Sequence, residues 1–168
     1  MDSPSEAQQL LSKHATSIDH IAIAVHDLEQ SIAFYSNTMG FTLQERRRTE
    51  GKTTAMDSAV MKAGPVTVVL LKGTSPDSQV SKYVEHYGPG VQHIAFAVEN
   101  LPQLAKDLEG AGMKFSTGVI ASAGLRQIFS MRDPGSGMMF ELIERMGGDF
   151  SDESVKNLFE QLEQKDAF

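Results

Sequence analysis

Two stretches of this chain can be laid over one another: His20 to Tyr35, HIAIAVHDLEQSIAFY, and His93 to Leu108, HIAFAVENLPQLAKDL. His93 stands 73 residues after His20, and self-similarity at a fixed step marks a duplicated unit. Each copy opens on an alternating, β-branched run that reads as a strand, Ile18 to Val25 and Val91 to Val98. An acidic or amide residue followed by Leu then starts an amphipathic helix. Leu28, Ile32 and Tyr35 share one face of the first helix, and Leu101, Leu104 and Leu108 share one face of the second.

Outward from these stretches the pattern continues in parallel. Gly40 and Gly112 stand where the helices should stop. Three strand candidates follow in each copy: Phe41 to Arg46, Thr54 to Met61 and Val66 to Leu71, then Lys114 to Thr117, Gln127 to Arg132 and Met138 to Arg145. The expectation is an α+β fold of two βαβββ modules, residues 17–74 and 91–146. Residues 75–90 form a connecting helix and turn, and residues 147–168 carry a last helix with Ser151 as its N-cap. Residues 1–16 read as a loosely held arm, and the whole as one domain.

The 168 residues give room for one domain and one core. A formal net charge of −7 supplies no basic face for a phosphate backbone, which argues against nucleic acid. No run approaches the roughly 20 apolar residues that span a bilayer. The opening MDSPSEAQQLLSKHATS lacks the charged-then-apolar pattern of a secretory signal, so the expected place is the cytoplasm, with no membrane partner. Cysteine is absent, so any metal must be held by His and carboxylate.

His20 and His93 occupy matched positions, and pseudo-twofold packing of the modules would bring both imidazoles to one axis. In the last strand, alternation puts Met139, Glu141 and Ile143 on one face, and the apolar character of both faces predicts a buried Glu141. A buried carboxylate needs a partner, and a metal ion is the obvious one. Glu141 lies 48 residues after His93; the same step from His20 lands on Val68, beside Val69, so the first module brings no matching carboxylate. Two His and one Glu leave about three coordination positions open, the arrangement of non-haem Fe(II) oxygenases. Spacing does not choose Fe(II) over Mn(II) or Co(II). His14, His26 and His86 read as surface residues, and Arg46-Arg47-Arg48 as a solvated strand end.

The paired strands IDHIAIAV and VQHIAFAV with the closing FELIER resemble the vicinal oxygen chelate superfamily of glyoxalases, extradiol dioxygenases and methylmalonyl-CoA epimerases. Within it, SAVM (58–61), SQVSKYVEHYGPGVQHIAF (78–96), LRQIF (125–129), MFELIER (139–145) and KNLFEQLEQ (156–164) most resemble the catalytic, C-terminal half of 4-hydroxyphenylpyruvate dioxygenase, over roughly Ser17 to Lys165. The resemblance implies paired βαβββ modules around Fe(II), with His20, His93 and Glu141 as ligands. Gln92 and Gln127 would be catalytic glutamines near the substrate, and Phe129 a pocket aromatic. The implied reaction is oxidative decarboxylation of a 2-oxo acid by O₂, in a homodimer that replaces the packing the longer protein obtains internally. Two departures bear on the substrate: Leu71 stands at about the position of a pocket Asn, and Ser154-Val155 replace an Asn and a Phe. Both point to a smaller or more aliphatic 2-oxo acid in a pocket lined by Leu71, Val69, Met139 and Val155, with Val68 and Leu70 as further candidates. The rival reading is a metal-dependent isomerase or lyase resembling methylmalonyl-CoA epimerase or glyoxalase. It would need a fourth ligand near Val69 and an acid or base from Glu45 or Glu50. A non-catalytic binding protein is a third.

Overall fold

The computed structural model describes residues 9–168. Helix α1 (Leu10–His14) leads into strand β1 (Ala15–Ala24), helix α2 (Leu28–Ala33, continuing as a π-turn through Phe34–Thr38) and strands β2 (Thr42–Glu50), β3 (Ala55–Ala63) and β4 (Val66–Gly73). Helix α3 (Gln79–Tyr87) then connects to strand β5 (Gly90–Val98), helix α4 (Leu101–Gly110) and strands β6 (Ile120–Ser122), β7 (Leu125–Phe129) and β8 (Met139–Arg145). Helix α5 (Asp152–Lys165) ends the chain's regular structure. The expected α+β architecture of paired modules is what the chain adopts. No helix among the described residues is long and apolar enough to cross a membrane.

All eight strands form one sheet, in the order β2-β3-β4-β1-β5-β8-β7-β6. Each module contributes four neighbouring strands, and the modules meet where β1 and β5 pair antiparallel. Inside each module the first strand pairs parallel with the last, β1 with β4 and β5 with β8. A parallel pair needs a crossover, which α2 and α4 provide on one face of the sheet. There Leu28 and Ile32 of α2 cover Ala59, Met61, Val68 and Leu70, while Leu101 and Leu104 of α4 cover Val98, Ile128 and Leu142. Leu101 and Leu104 are fully buried, and truncating either to Ala would cost about 2–5 kcal/mol.

Local chemistry sets the helix ends. Asp27 accepts the Gln30 N–H at 2.9 Å and caps α2. Ser151 and Ser154 form a reciprocal capping box on α5, as the Ser151 expectation required. Gly40 and Gly112 adopt φ of +77° and +101°, which is why glycine ends both repeat helices.

Two expectations are corrected. The arm is not loose from Leu10 onward: Leu10, Leu11 and Ala15 pack against the α4 cluster, and His14 Nδ1 meets the Glu99 carbonyl at 2.8 Å. The rest of that expectation, residues 1–8, lies outside the described residues. Lys114 to Thr117 is not a strand: side-chain bonds interleave with the few backbone bonds it makes to residues 129–131. Thr117 Oγ1 takes the Phe129 N–H at 3.0 Å and Ser116 donates to the Ser130 carbonyl at 3.0 Å, leaving a single bridge, Phe115 to Ser130. The edge strand is β6 instead.

The other face of the sheet curls, so that α5 touches both edge strands, β2 and β6. Its apolar side fills the curl: Val155 and Phe159 join Met56, Leu71 and Tyr83, while Leu158 and Leu162 join Ile120, Phe129 and Met139. Polar bonds fix it at both ends of the span. Glu163 accepts the N–H groups of Lys52 and Thr54 at 2.9 and 2.8 Å in the β2–β3 turn, and Gln161 accepts the Gly118 N–H at 3.0 Å. Partial burial alone would raise the Glu163 pKa, but Thr54 and the backbone donors outweigh it and hold the pKa below the ordinary 4.5. Its stabilisation is therefore complete above 4.5 and is lost as the pH falls through the lowered folded value. Glu163→Gln should lower stability at pH 7 by about 1–2 kcal/mol in urea unfolding, and the gap to wild type should narrow as the pH falls below 4.5. An unchanged midpoint at pH 7 would show that these bonds do not hold α5.

Candidate metal centre

The inner face of the sheet brings His20, His93 and Glu141 together from β1, β5 and β8. Register explains how. Glu141 pairs with Ala95, and Ala95 with His20, so the three lie on one cross-strand rung with their side chains on one face. The mirror rung of the other module runs from Val69 through Ala22 to His93. Both central positions are alanines, fully buried, and their small side chains leave the room into which the larger ones lean.

All three chemical groups are buried, His20 at 4%, His93 at 8% and Glu141 at 1% exposure. One ligand atom from each lies within 4.8 Å of the others. Glu141 Oε2 stands 3.2 Å from His20 Nε2 and 3.5 Å from His93 Nε2, and the two imidazoles meet edge to face at 5.6 Å. Each far nitrogen is held by an oxygen: His20 Nδ1 by Asp19 at 2.8 Å, His93 Nδ1 by the Gln92 side-chain carbonyl. A proton on each Nδ1 turns both Nε2 lone pairs to the centre. Asp19 is fixed in turn by Arg145, through contacts of 2.7 and 3.0 Å.

Electrostatics suit a cation. Burial opposes charging His20, but Glu141 and Asp19 outweigh it and push its pKa up to about 9. Burial dominates at His93 and pushes it down. Burial would also raise Glu141, yet His20 and then His93 keep its carboxyl below the ordinary range. Glu141 Oε1 is buried with no hydrogen-bond partner, a costly state for a carboxylate oxygen. Two imidazole nitrogens and one under-satisfied carboxylate, with second-layer oxygens in place, fit a divalent ion.

A cavity opens over this trio. Val69, Leu71, Gln127, Phe129 and Val155 line it, at the positions the sequence suggests. Gln127 is fully buried, and neither end of its amide has a partner. Four expected residues lie elsewhere. Gln92 is not a pocket wall, since its side chain is drawn to His93 Nδ1. Met139 shares the Glu141 face but sits behind Phe129, packed with Leu158 and Leu162 under α5. Val68 and Leu70 point to the opposite face and pack beneath α2, as the alternation of β4 demands. Of the two carboxylates considered as an acid or base, Glu45 lines the cavity and Glu50 does not.

Sequence reasoning missed several wall residues, of which two bear on the chemistry. Phe150, in the loop before α5, sets its ring edge to face on His20 at 5.9 Å, as Phe129 does on His93 at 4.9 Å. Arg47, read as part of a solvated run, points inward on β2 and its side chain is only 14% exposed. Alternation from Glu45 could have flagged Arg47; nothing local could have flagged Phe150.

Relatives share this arrangement of chain. The 4-hydroxyphenylpyruvate dioxygenase of Pseudomonas aeruginosa is 25% identical over 186 residues, taking in 89% of this chain and 52% of that protein. The chain spans about half the length of several curated relatives it matches. A variant of 4-hydroxymandelate synthase from Streptomyces coelicolor superposes with a TM-score of 0.81 at 23% identity, over 90% of this chain and 55% of that one, a likeness of fold. A methylmalonyl-CoA epimerase in complex with methylmalonyl-CoA superposes with a TM-score of 0.68 at 29% identity, over 82% of this chain and 99% of that one. The model of the Glyoxalase/Bleomycin resistance protein/Dioxygenase superfamily matches residues 17–142, three quarters of the chain, and the chain belongs to that family.

Proposed function

We propose that the chain is a non-haem Fe(II)-dependent dioxygenase that oxidatively decarboxylates a 2-oxo acid at His20, His93 and Glu141. The observation that carries this reading is the asymmetry of the two rungs. Glu141 has Val69 as its counterpart, so the protein offers three ligands and an apolar fourth corner. Such a set leaves neighbouring positions for a bidentate substrate and O₂. Fe(II) held there would supply chelation of the 2-oxo acid and activation of O₂, with CO₂ released and oxygen passed to the remaining acid.

The chain's own residues supply binding and shelter. Gln127 presents an unpartnered donor and acceptor beside the ligands, suited to a substrate carboxylate or keto oxygen. Phe129 and Phe150 flank the two imidazoles and, with Val69 and Leu71, keep water from the reacting end. Helix α5 closes the far side with Val155 and Leu158.

An epimerase-like isomerase is the second reading, favoured by end-to-end likeness to methylmalonyl-CoA epimerase and by Glu45 in the cavity. Against it, Glu45 is engaged by Arg47 at 2.6 Å and Val69 offers no fourth ligand.

Glu141→Ala should lose stoichiometric Fe(II) or Co(II) binding in anaerobic equilibrium dialysis. Asp19→Asn, which keeps all three ligands but removes the charge behind His20 and its pair with Arg145, should weaken binding about 10- to 100-fold. Retained tight binding in the Glu141 variant would remove the ligand assignment. For activity, Fe(II)-loaded protein should consume O₂ and release CO₂ in equal amounts with a member of a 2-oxo acid panel. Proton exchange at C2 of methylmalonyl-CoA without O₂ uptake would transfer the case to the isomerase.

A further inference from the structure

We infer that Arg47 is a specificity-determining residue that reads an uncharged oxygen, a hydroxyl or carbonyl, on the tail of the substrate. The inference rests on the 2-oxo acid reading above and extends it to the far end of the same cavity. Arg47 sits on the rung Arg47–Ser58–Leu71–Ala24, four residues along β1 from His20, which is roughly 13 Å in the strand direction. It is also linked to the centre through Phe150: Arg47 Nη2 donates to the Phe150 carbonyl at 3.1 Å, and the Phe150 ring lies on His20. A 2-oxo acid anchored at the three ligands therefore extends its tail towards this guanidinium.

The fork of Arg47 is partly used. Nη2 meets Glu45 and the Phe150 carbonyl, whereas Nε, although 3.0 Å from an Asp152 oxygen, is buried without a hydrogen-bond partner. The side chain lines the cavity wall, so this spare buried donor belongs to the cavity's polar lining. Apart from Glu45, with which it pairs, and Ser58 on its own rung, its neighbours on that wall are apolar, Met56, Leu71 and Val155. A donor left over in apolar surroundings gains most from a ligand acceptor.

Charge decides which acceptor. Glu45 and Asp152 together already outweigh the single positive charge of Arg47. A second carboxylate on the substrate would meet a site of net negative charge, whereas a hydroxyl or carbonyl takes a spare guanidinium N–H without that repulsion. The remaining apolar wall accommodates methylenes between the two ends.

The test is anaerobic titration of Co(II)-loaded protein, read from its visible absorption, with 2-oxo acids of five to seven carbons ending in hydroxyl, methyl or carboxylate. Wild type should bind the ω-hydroxy acid about 10- to 100-fold tighter than its methyl isostere, and the diacid more weakly than the hydroxy acid. Arg47→Met should abolish the hydroxyl preference while leaving the methyl isostere bound within about threefold; Arg47→Lys, which keeps the charge facing Glu45 and Asp152, should also lose most of it. Glu45→Gln should shift preference towards the diacid. Equal binding of hydroxyl and methyl tails by wild type overturns the assignment, as does a preference that survives in both Arg47 variants or a diacid preferred by wild type. No spectral change with any acid, in protein shown to hold Co(II), overturns the 2-oxo acid reading and this one with it.

Discussion

The pairing of β1 with β5 is the constraint on which the site depends. It is antiparallel and in a register that sets His20 beside Ala95 and Ala22 beside His93. Because residues paired across a sheet share a face, that register puts both imidazoles on the inner side at once, and the parallel pairing of β8 adds Glu141 to the same rung. A slip of one residue in this pairing would leave one imidazole on the inner face and turn the other to the α2–α4 face. The helices that bury the outer face, with Leu28, Ile32, Leu101 and Leu104, therefore fix the chemistry of the inner face as well. Polar burial on this scale is tolerated because each imidazole has an oxygen behind it and Asp19 has Arg145 behind that.

Much of this is legible in the residues. The repeat discloses paired strands and helices because duplication preserves the spacing of core positions, and alternation in MMFELIER predicts a buried Glu141 because a strand has a period of two. Period alone does not tell how far along a strand the cavity extends. Met139 and Glu141 share a face, yet one packs under α5 and the other reaches the centre. The same limit applies to Arg47, whose inward role depends on the curl that brings α5 and Asp152 over β2. Phe150 is set by a loop whose course is fixed from outside it: Arg145 bonds Asp149 and lies over the Phe150 ring at 5.0 Å. Gln92 illustrates the opposite error, a residue correctly placed beside a ligand whose side chain is already engaged in orienting it.

Helix α5 makes an open curl into a partly covered chamber. It spans from the β2–β3 turn, through Glu163, to the approach to β6, through Gln161, and Gln79 of α3 donates to the Phe159 carbonyl at 3.0 Å from a third side. These bonds come from well-separated parts of the chain, so the walls of the cavity are set by tertiary structure completed late in the sequence. Val155 and Leu158 are its contribution to the cavity.

Val69 on the mirror rung has a further meaning. A chamber built from two matched halves would accept a small chelating molecule in either of two poses related by half a turn, and the poses would expose different atoms to attack. With carboxylate on one rung and isopropyl on the other, and with Gln127 answered across the chamber only by Ser58, the two poses differ in energy. The loss of symmetry between two copies of one ancestral unit thereby gives the guest a head and a tail. A single handed product can follow from a fold whose architecture is itself nearly even-sided.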